Sequence, residues 1–409
     1  MNVQAKAAEY DVDSMLRWQT RSGFAPRRVG RTDVLDGQVA TLLSQMNIAV
    51  IHGGDKSASG AVIHQTSNPR SWKSYRNVAE DIAGALQRLG CRNVKLLADD
   101  MSLGDELRRH HIHFAWLNTG GVQGYSPMSH TAAMLEMFGI PYVGHDPLAA
   151  GMLDNKITFK RELIALGIRT APFVAWHPSR GRFDPHTNPA FNRVFPSYDG
   201  PFVVKPVSGR ASLHVHYVQD CRALADTVAK VFWATKGQVL IEKFLPGAEY
   251  CVAVSGPIVA QNRKLAHRGE PFAFSFVERV LDEGEVIFTS MDIRPITMQR
   301  LRVLEPQNDA DLIAGLREVA RSVYVELELE SIIRLDVRKG ADEQLYVIEA
   351  NPKPDLKKPT PGGTSIACAG LPACGMDFDD LILSLFADRV DILFSQRRGC
   401  TTHLSSLID

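Results

Sequence analysis

Between Asn47 and Gly144 short apolar runs alternate with stretches whose apolar residues recur every three or four positions. The run NIAVIHGG enters a glycine turn at Gly53 and Gly54, and Val78, Ile82, Ala85, Leu86 and Leu89 then keep helical spacing over 75–89. VKLLA (94–98), HFAWLN (113–118), a helix around 130–138 and the short PYVG follow. Strand and helix in alternation with short connections predict a doubly wound α/β unit. Beyond it the pattern predicts a helix at 156–166, a strand PFVVKP (201–206), a helix at 220–233 and a strand QVLIEKF (238–244), a small α+β unit punctuated by Gly200, Pro201 and Pro246. YCVAVSG, a helix at 309–326, the runs SIIRLDVRKG and EQLYVIEAN and a closing helix at 377–394 predict a second α+β unit.

This division suits the length. At 409 residues the chain exceeds the roughly 250 to 300 residues over which one core keeps growing. The expected partition is an N-terminal arm at 1–46, an α/β domain at 47–153, a central α+β subdomain at 154–246 and a C-terminal α+β subdomain at 247–409. The arm is polar and Arg-rich, suited to packing on a neighbouring surface or to partial mobility. Lys+Arg 46 balances Asp+Glu 46, so no field steers the chain onto nucleic acid or an anionic membrane. Small molecules are the expected partners. The six cysteines include no CxxC pair, which favours reduced, buried thiols. With no signal-peptide pattern and no long apolar run, a cytoplasmic location is expected.

Candidate chemistry gathers at strand ends. In LYVIEANPKP strict alternation places Leu345, Val347, Glu349 and Asn351 on one face, and Pro352 and Pro354 stop the strand. In IIRLDV, Arg334 and Asp336 share a face, and the polar turn RKGADEQ returns the chain, so a hairpin brings Asp336, Glu349 and Asn351 together. Two acids and an amide are suitable oxygen ligands for Mg²⁺. In VLIEKFLPGAEY, Glu242 ends a strand and Glu249 follows a Pro-Gly turn, a place where backbone groups can read a purine edge. Lys205 precedes a Ser/Gly turn containing Ser208 and Arg210, and Lys156 opens a helix. Ammonium groups beside backbone amides hold phosphate oxygens. The His-rich stretch HHIH (110–113) fits a polar approach to a strand better than a metal site.

Taken in order, GIPYVG with LDNKITFKREL, PFVVKPVSG, VLIEKFLPGAEY, and RLDV with VIEANPKP resemble the ATP-grasp superfamily, in its D-alanine:D-alanine ligase branch. The resemblance covers roughly 47–388 and implies an ATP-grasp fold with ATP between the central and C-terminal regions. It implies that Glu242 accepts from the adenine amine, the backbones of Lys243 and Leu245 meet the ring edge and Glu249 holds the ribose. Lys156 and Lys205 would contact phosphates, with Ser208 and Arg210 beside them. Asp336, Glu349 and Asn351 would ligate two Mg²⁺ ions, with Mn²⁺ as a substitute. Arg334, with Lys205, would stabilise the transferred phosphoryl group.

The implied reaction is carboxylate–amine ligation through an acyl phosphate, on small amino-acid-like substrates, in a chain that the related ligases suggest is a homodimer. The alternatives are another ATP-grasp enzyme, such as a kinase or a ligase of a different acid, or a nucleotide-binding regulatory protein. The chain departs from its relatives at LNTGGVQGYSPMSH and NPKPDLKKPTPGG, where Asp355 replaces a glycine and Lys357 and Lys358 add charge. His52, Asp55 and Ser57, in HGGDKSASG, are the candidates for meeting the first substrate.

Overall fold

A computed structural model of the chain describes residues 32–66, 72–288, 298–361, 363–396 and 401–408. Among these residues fifteen strands form three sheets and one separate hairpin.

The first sheet holds β1 (Asn47–His52), β2 (Asn93–Ala98), β3 (Phe114–Asn118) and β4 (Tyr142–Val143) in the order β2-β1-β3-β4. All its pairings are parallel. The helices Arg76–Arg88, Leu103–Arg109 and Pro127–Phe138 connect its strands. The second sheet, β5 (Phe173–Trp176), β6 (Phe202–Pro206), β7 (His216–Val218) and β8 (Val239–Lys243), is antiparallel in the order β5-β8-β6-β7. It is covered by the helix Leu224–Thr235, whose Leu224, Val228 and Val231 are fully buried.

The third sheet contains β9 (Glu249–Ser255), β12 (Phe272–Arg279), β13 (Leu301–Val303), β14 (Ile333–Lys339) and β15 (Leu345–Asn351) in the order β13-β12-β9-β14-β15. Between β9 and β12 the chain forms the hairpin of β10 (Ile258–Gln261) and β11 (Lys264–His267). The helix Ala310–Glu326 covers one face of the third sheet through Ile313, Leu316, Ala320 and Val323.

Three sequence expectations change. The described part of the arm is the helix Thr32–Gln45, whose Leu35, Val39, Leu42 and Leu43 enter the main core; 1–31 lies outside the described residues. The closing helix, Phe378–Gln396, packs into this same core beside the first sheet, with Phe386 and Phe114 ring centroids 5.2 Å apart. The third concerns β15. Asp336 pairs with Glu349, but Val337 pairs with Val347, so Ile348 is an extra residue in a β-bulge. Val347 therefore joins Leu335, Val337 and Ala350 in the core, while Glu349 and Asn351 occupy the other face. Simple alternation groups Val347 with the two polar residues, and the bulge separates them.

The described cysteines are free thiols: Cys91, Cys221, Cys251 and Cys368 are buried and Cys374 is partly so. Cys400 lies outside the described residues. His113 of the His-rich stretch accepts the Asn47 N–H on Nδ1 at 2.9 Å, at the entry to the first sheet. No helix among the described residues is long and apolar enough to cross a membrane.

Candidate active site

The second and third sheets face one another across a cleft of about 820 Å³. Asn155 caps the helix Lys156–Ala165, its Oδ1 accepting the N–H groups of Ile157 and Thr158 at 3.1 Å. Capping here places Lys156 in the first turn and Lys160 one turn on. Lys156 Nζ is 3.2 Å from a carboxylate oxygen of Glu349 in the third sheet. Lys160 is fully buried, 3.0 Å from Glu242 in the second sheet. Its ammonium also donates to Thr170 Oγ1 at 2.5 Å.

In the second sheet Val203 pairs with Glu242 and Lys205 with Leu240, so Glu242 and Lys205 share a face. Lys205 Nζ lies 2.5 Å from Glu242 Oε1. Burial alone would raise the Glu242 pKa, but the two ammonium groups outweigh it and keep the carboxyl ionised. The lysines diverge. Burial, with the Lys205 charge, lowers the Lys160 pKa, whereas at Lys205 burial is outweighed by Glu242, Glu349 and Glu249, which hold it above its usual range.

On the opposite wall, Arg334 pairs with Asn351 and Asp336 with Glu349 across the hairpin. Arg334 donates to both Asp336 oxygens, at 2.7 and 3.0 Å. Arg279, at the end of β12, bridges Glu249 at 2.5 Å and Asp336 at 3.1 Å. Burial opposes ionisation of Glu349, yet Lys156, Lys205, Arg334 and Arg279 together hold it well below the usual carboxylate range. The Cys251 thiol donates to Asp336 Oδ1 at 3.4 Å.

The turn between the second and third sheets forms the end of the cleft. Gly247 is required there, because a Cβ would stand 2.6 Å from that of Lys339. The N–H of Lys243 is taken by Pro172 O at 2.9 Å and that of Phe244 by Pro201 O at 3.0 Å. Lys243, Leu245, Val203, Phe244, Ile287 and the bulged Ile348 line the slot, an apolar setting for a flat ring. Glu249 stands at its margin, with Arg338 3.5 Å away and itself over the Phe244 ring.

A second chamber of about 1170 Å³ continues past the hairpin, lined by Lys73, Tyr75, Arg334, Asn351, Lys353 and Asp355 among others. Ser208 donates to Asp154 on its wall, and Arg210, lining both chambers, donates to Trp72 O at 3.2 Å.

Asp336, Glu349 and Asn351 offer hard oxygen donors on one face of one hairpin, a set suited to Mg²⁺ that draws further ligands from phosphate and water. Among the described residues no cluster of three or more His, Cys, Asp or Glu side chains forms a self-sufficient metal cage.

The structure thus brings together Lys156, Lys205, Ser208, Arg210, Glu242, Lys243, Leu245, Glu249, Arg334, Asp336, Glu349 and Asn351. It does not bring the expected substrate residues to either chamber wall. His52 is buried with Nδ1 3.4 Å from Gly53 O. Asp55 accepts from the N–H and hydroxyl of Ser57, closing an exposed local turn. Lys357 and Lys358 are exposed, and the Lys358 N–H donates to Asp81. Lys353, Tyr75, Lys160, Arg279 and Arg338 join the site without having been expected there. Of these, only Lys160 carries a usable sequence signal, its spacing of four from Lys156 on a capped helix.

Residues 163–387, more than half of the chain, match the family model described as "D-ala D-ala ligase C-terminus". A D-alanine–D-alanine ligase of Synechococcus sp. (strain JA-2-3B'a(2-13)) is 24% identical over 347 residues, covering 84% of this chain and 93% of the relative. Among solved structures, D-alanine–D-alanine ligase from Bacillus anthracis complexed with ATP superposes with a TM-score of 0.60 at 20% identity, covering 85% of this chain and 98% of that one. D-alanyl-alanine synthetase A from Vibrio cholerae gives 0.59 at 19% identity, covering 85% and 99%. The two structures share this fold. The chain belongs to the D-alanine–D-alanine ligase family and is an ATP-grasp ligase.

Proposed function

We propose that the protein joins the carboxylate of one small amino-acid-like substrate to the amine of another, through an acyl phosphate, in the cleft between the second and third sheets. The supporting observation is the convergence of Arg334, Asp336, Glu349 and Asn351 on one hairpin face with Lys156 and Lys205 from across the cleft. A purely adhesive nucleotide site has no need of such a set.

In this reading the adenine lies in the slot between Leu245 and Ile348, with the Glu242 carboxylate and the backbones of Lys243 and Leu245 at its edge. Glu249 takes the ribose. Lys156, Lys205, Arg210 and the Ser208 turn receive the phosphates, and Arg279 joins them. Asp336, Glu349 and Asn351 hold Mg²⁺, which neutralises charge on the phosphates when bound. A carboxylate oxygen of the acid attacks the γ-phosphorus and ADP leaves. The amine then attacks the carbonyl carbon, losing a proton as phosphate departs. Arg334 meets the charge that develops in both steps. The nucleotide lies between the second and third sheets and the substrates toward the first.

A pairwise screen of amino acids and related acids for ATP- and Mg²⁺-dependent phosphate release tests this. Release requiring both an acid and an amine is expected. Release with an acid alone points to a kinase, and silence over a broad panel to a regulatory nucleotide binder. Glu349→Gln should lower release about a hundred- to a thousandfold, the order expected when one preorganised transition-state contact is lost, while the folded far-UV circular dichroism spectrum is kept.

A further inference from the structure

Beneath Lys353 a third, smaller cavity of about 30 Å³ abuts the second chamber, sharing Pro352 and Lys353 with it. It opens at the carboxyl ends of β3 and β4, the end of a parallel sheet at which ligands are held. Its polar lining is His145, Thr119, Thr131 and Lys353, and its apolar lining includes Leu117 and Met128.

The hydrogen bonds in this cavity are largely committed. His145 is buried, with Nε2 3.2 Å from Ile332 O. A carbonyl can only accept, so Nε2 carries the proton and Nδ1 presents a lone pair. Burial pushes the His145 pKa down to about 4, which keeps the ring neutral near pH 7. Nδ1 is buried and finds no donor. Thr119 and Thr131 both donate their hydroxyl hydrogens to Asp99 Oδ2, at 2.6 and 2.8 Å. The Thr119 oxygen is further used by the Gly121 N–H. The Thr131 oxygen can therefore only accept from anything placed beside it. Lys353 is the donor in the wall, its ammonium 3.4 Å from the Tyr75 ring centroid and 3.4 Å from Asn118 Oδ1.

We propose that this cavity is a specificity subsite for a hydroxyl group on one of the two ligase substrates, with His145 Nδ1 accepting the hydroxyl proton. The inference rests on the ligase reading and extends it to the substrate's side chain. A methyl group would leave Nδ1 buried and unsatisfied, a carboxylate has no proton to give it, and a second ammonium would sit against Lys353. A hydroxyl donates to Nδ1 and still accepts from Lys353.

Two readouts on the full chain decide this. The first is kcat/KM for matched pairs, serine against alanine and homoserine against 2-aminobutyrate, each in both enantiomers. One hydroxylated member should be favoured by on the order of tenfold, the worth of one buried hydrogen bond. The preference should disappear in His145→Phe, with the KM for ATP unchanged. The second needs no turnover: in protein labelled with ¹⁵N in its histidine rings, the His145 Nδ1 resonance should move on adding the favoured amino acid and stay in place with its hydrogen analogue. No preference in any pair, or a preference untouched by His145→Phe, overturns the subsite, as does an unmoved Nδ1 signal. Phosphate release without these signatures leaves the ligase reading intact. A moving Nδ1 signal with no release over the broad panel removes the ligase reading and keeps the cavity as a hydroxyl-binding site.

Discussion

Glu242 stands between two ammonium groups, Lys160 at 3.0 Å and Lys205 at 2.5 Å, all three almost fully buried. A buried triad of this kind stores little net stability while complete, because desolvation offsets the attraction, but it is costly to break. Glu242→Gln strands two cations and should cost about 3 to 5 kcal/mol. Lys160→Met leaves Glu242 paired with Lys205 and should cost clearly less. Chemical denaturation of the two variants checks the order, and a larger loss from Lys160→Met would mean that the carboxylate does not hold the pair together. The triad also shows what a sequence can disclose at this scale. Lys205 and Glu242 are legible because each ends an apolar strand, whereas Arg279 ends the aromatic run FAFSFVER, where no turn residue marks the strand end as a site. Lys353 lies inside a proline-broken segment. There the backbone path decides direction, and no periodicity can supply it.

At the level of elements, the β15 bulge separates what periodicity can and cannot predict. The hairpin, its polar face and the convergence of Asp336 with Glu349 follow from spacing. The extra residue does not, since Ile348 is an apolar residue in an apolar strand and nothing local distinguishes it. The bulge sends Val347 to the core and sets Ile348 against the apolar slot of the cleft. A chain lacking Ile348 should keep both faces, because Val347 and Glu349 already pair with consecutive residues of β14. Such a variant should fold and show a KM for ATP raised about tenfold, because the slot gives up one apolar wall. An unchanged KM would mean that Ile348 does not touch the nucleotide. The parallel first sheet and six of the twelve α-helices among the described residues are legible for the ordinary reason that their apolar spacing is regular. Residues 256–288 are not: the short strands of the hairpin and the eight-residue β12 follow one another with positive φ at Asn262, Arg263 and Ser275 and with a register shift in β12.

Over the whole molecule, the helices Thr32–Gln45 and Phe378–Gln396 share one core with the first sheet, so the two ends of the described chain close the same unit. Arg389 of the closing helix donates to Gly144 O and Glu330 O, tying the segment beside His145 to the approach to β14. This region should give the fold a marked acid sensitivity. The folded His145 pKa of about 4 lies below its ordinary 6.5. The unfolded chain therefore binds the proton more readily, and stability is complete above about 6.5 and lost as pH falls toward 4. The depressed Glu242 and Glu349 act in the same direction at lower pH. The melting temperature should fall from pH 7 to pH 4, less steeply in His145→Phe. An equal slope in both would assign the sensitivity to other groups.

A carboxylate that becomes an acyl phosphate gives one of its oxygens to the phosphate that later departs. The most direct measurement uses an acid substrate labelled with ¹⁸O in its carboxylate, turned over with ATP, Mg²⁺ and an amine, and follows the label by mass spectrometry. One ¹⁸O per turnover should appear in the released phosphate, with the amide product keeping the other. Phosphate free of ¹⁸O, formed alongside amide, would contradict the account.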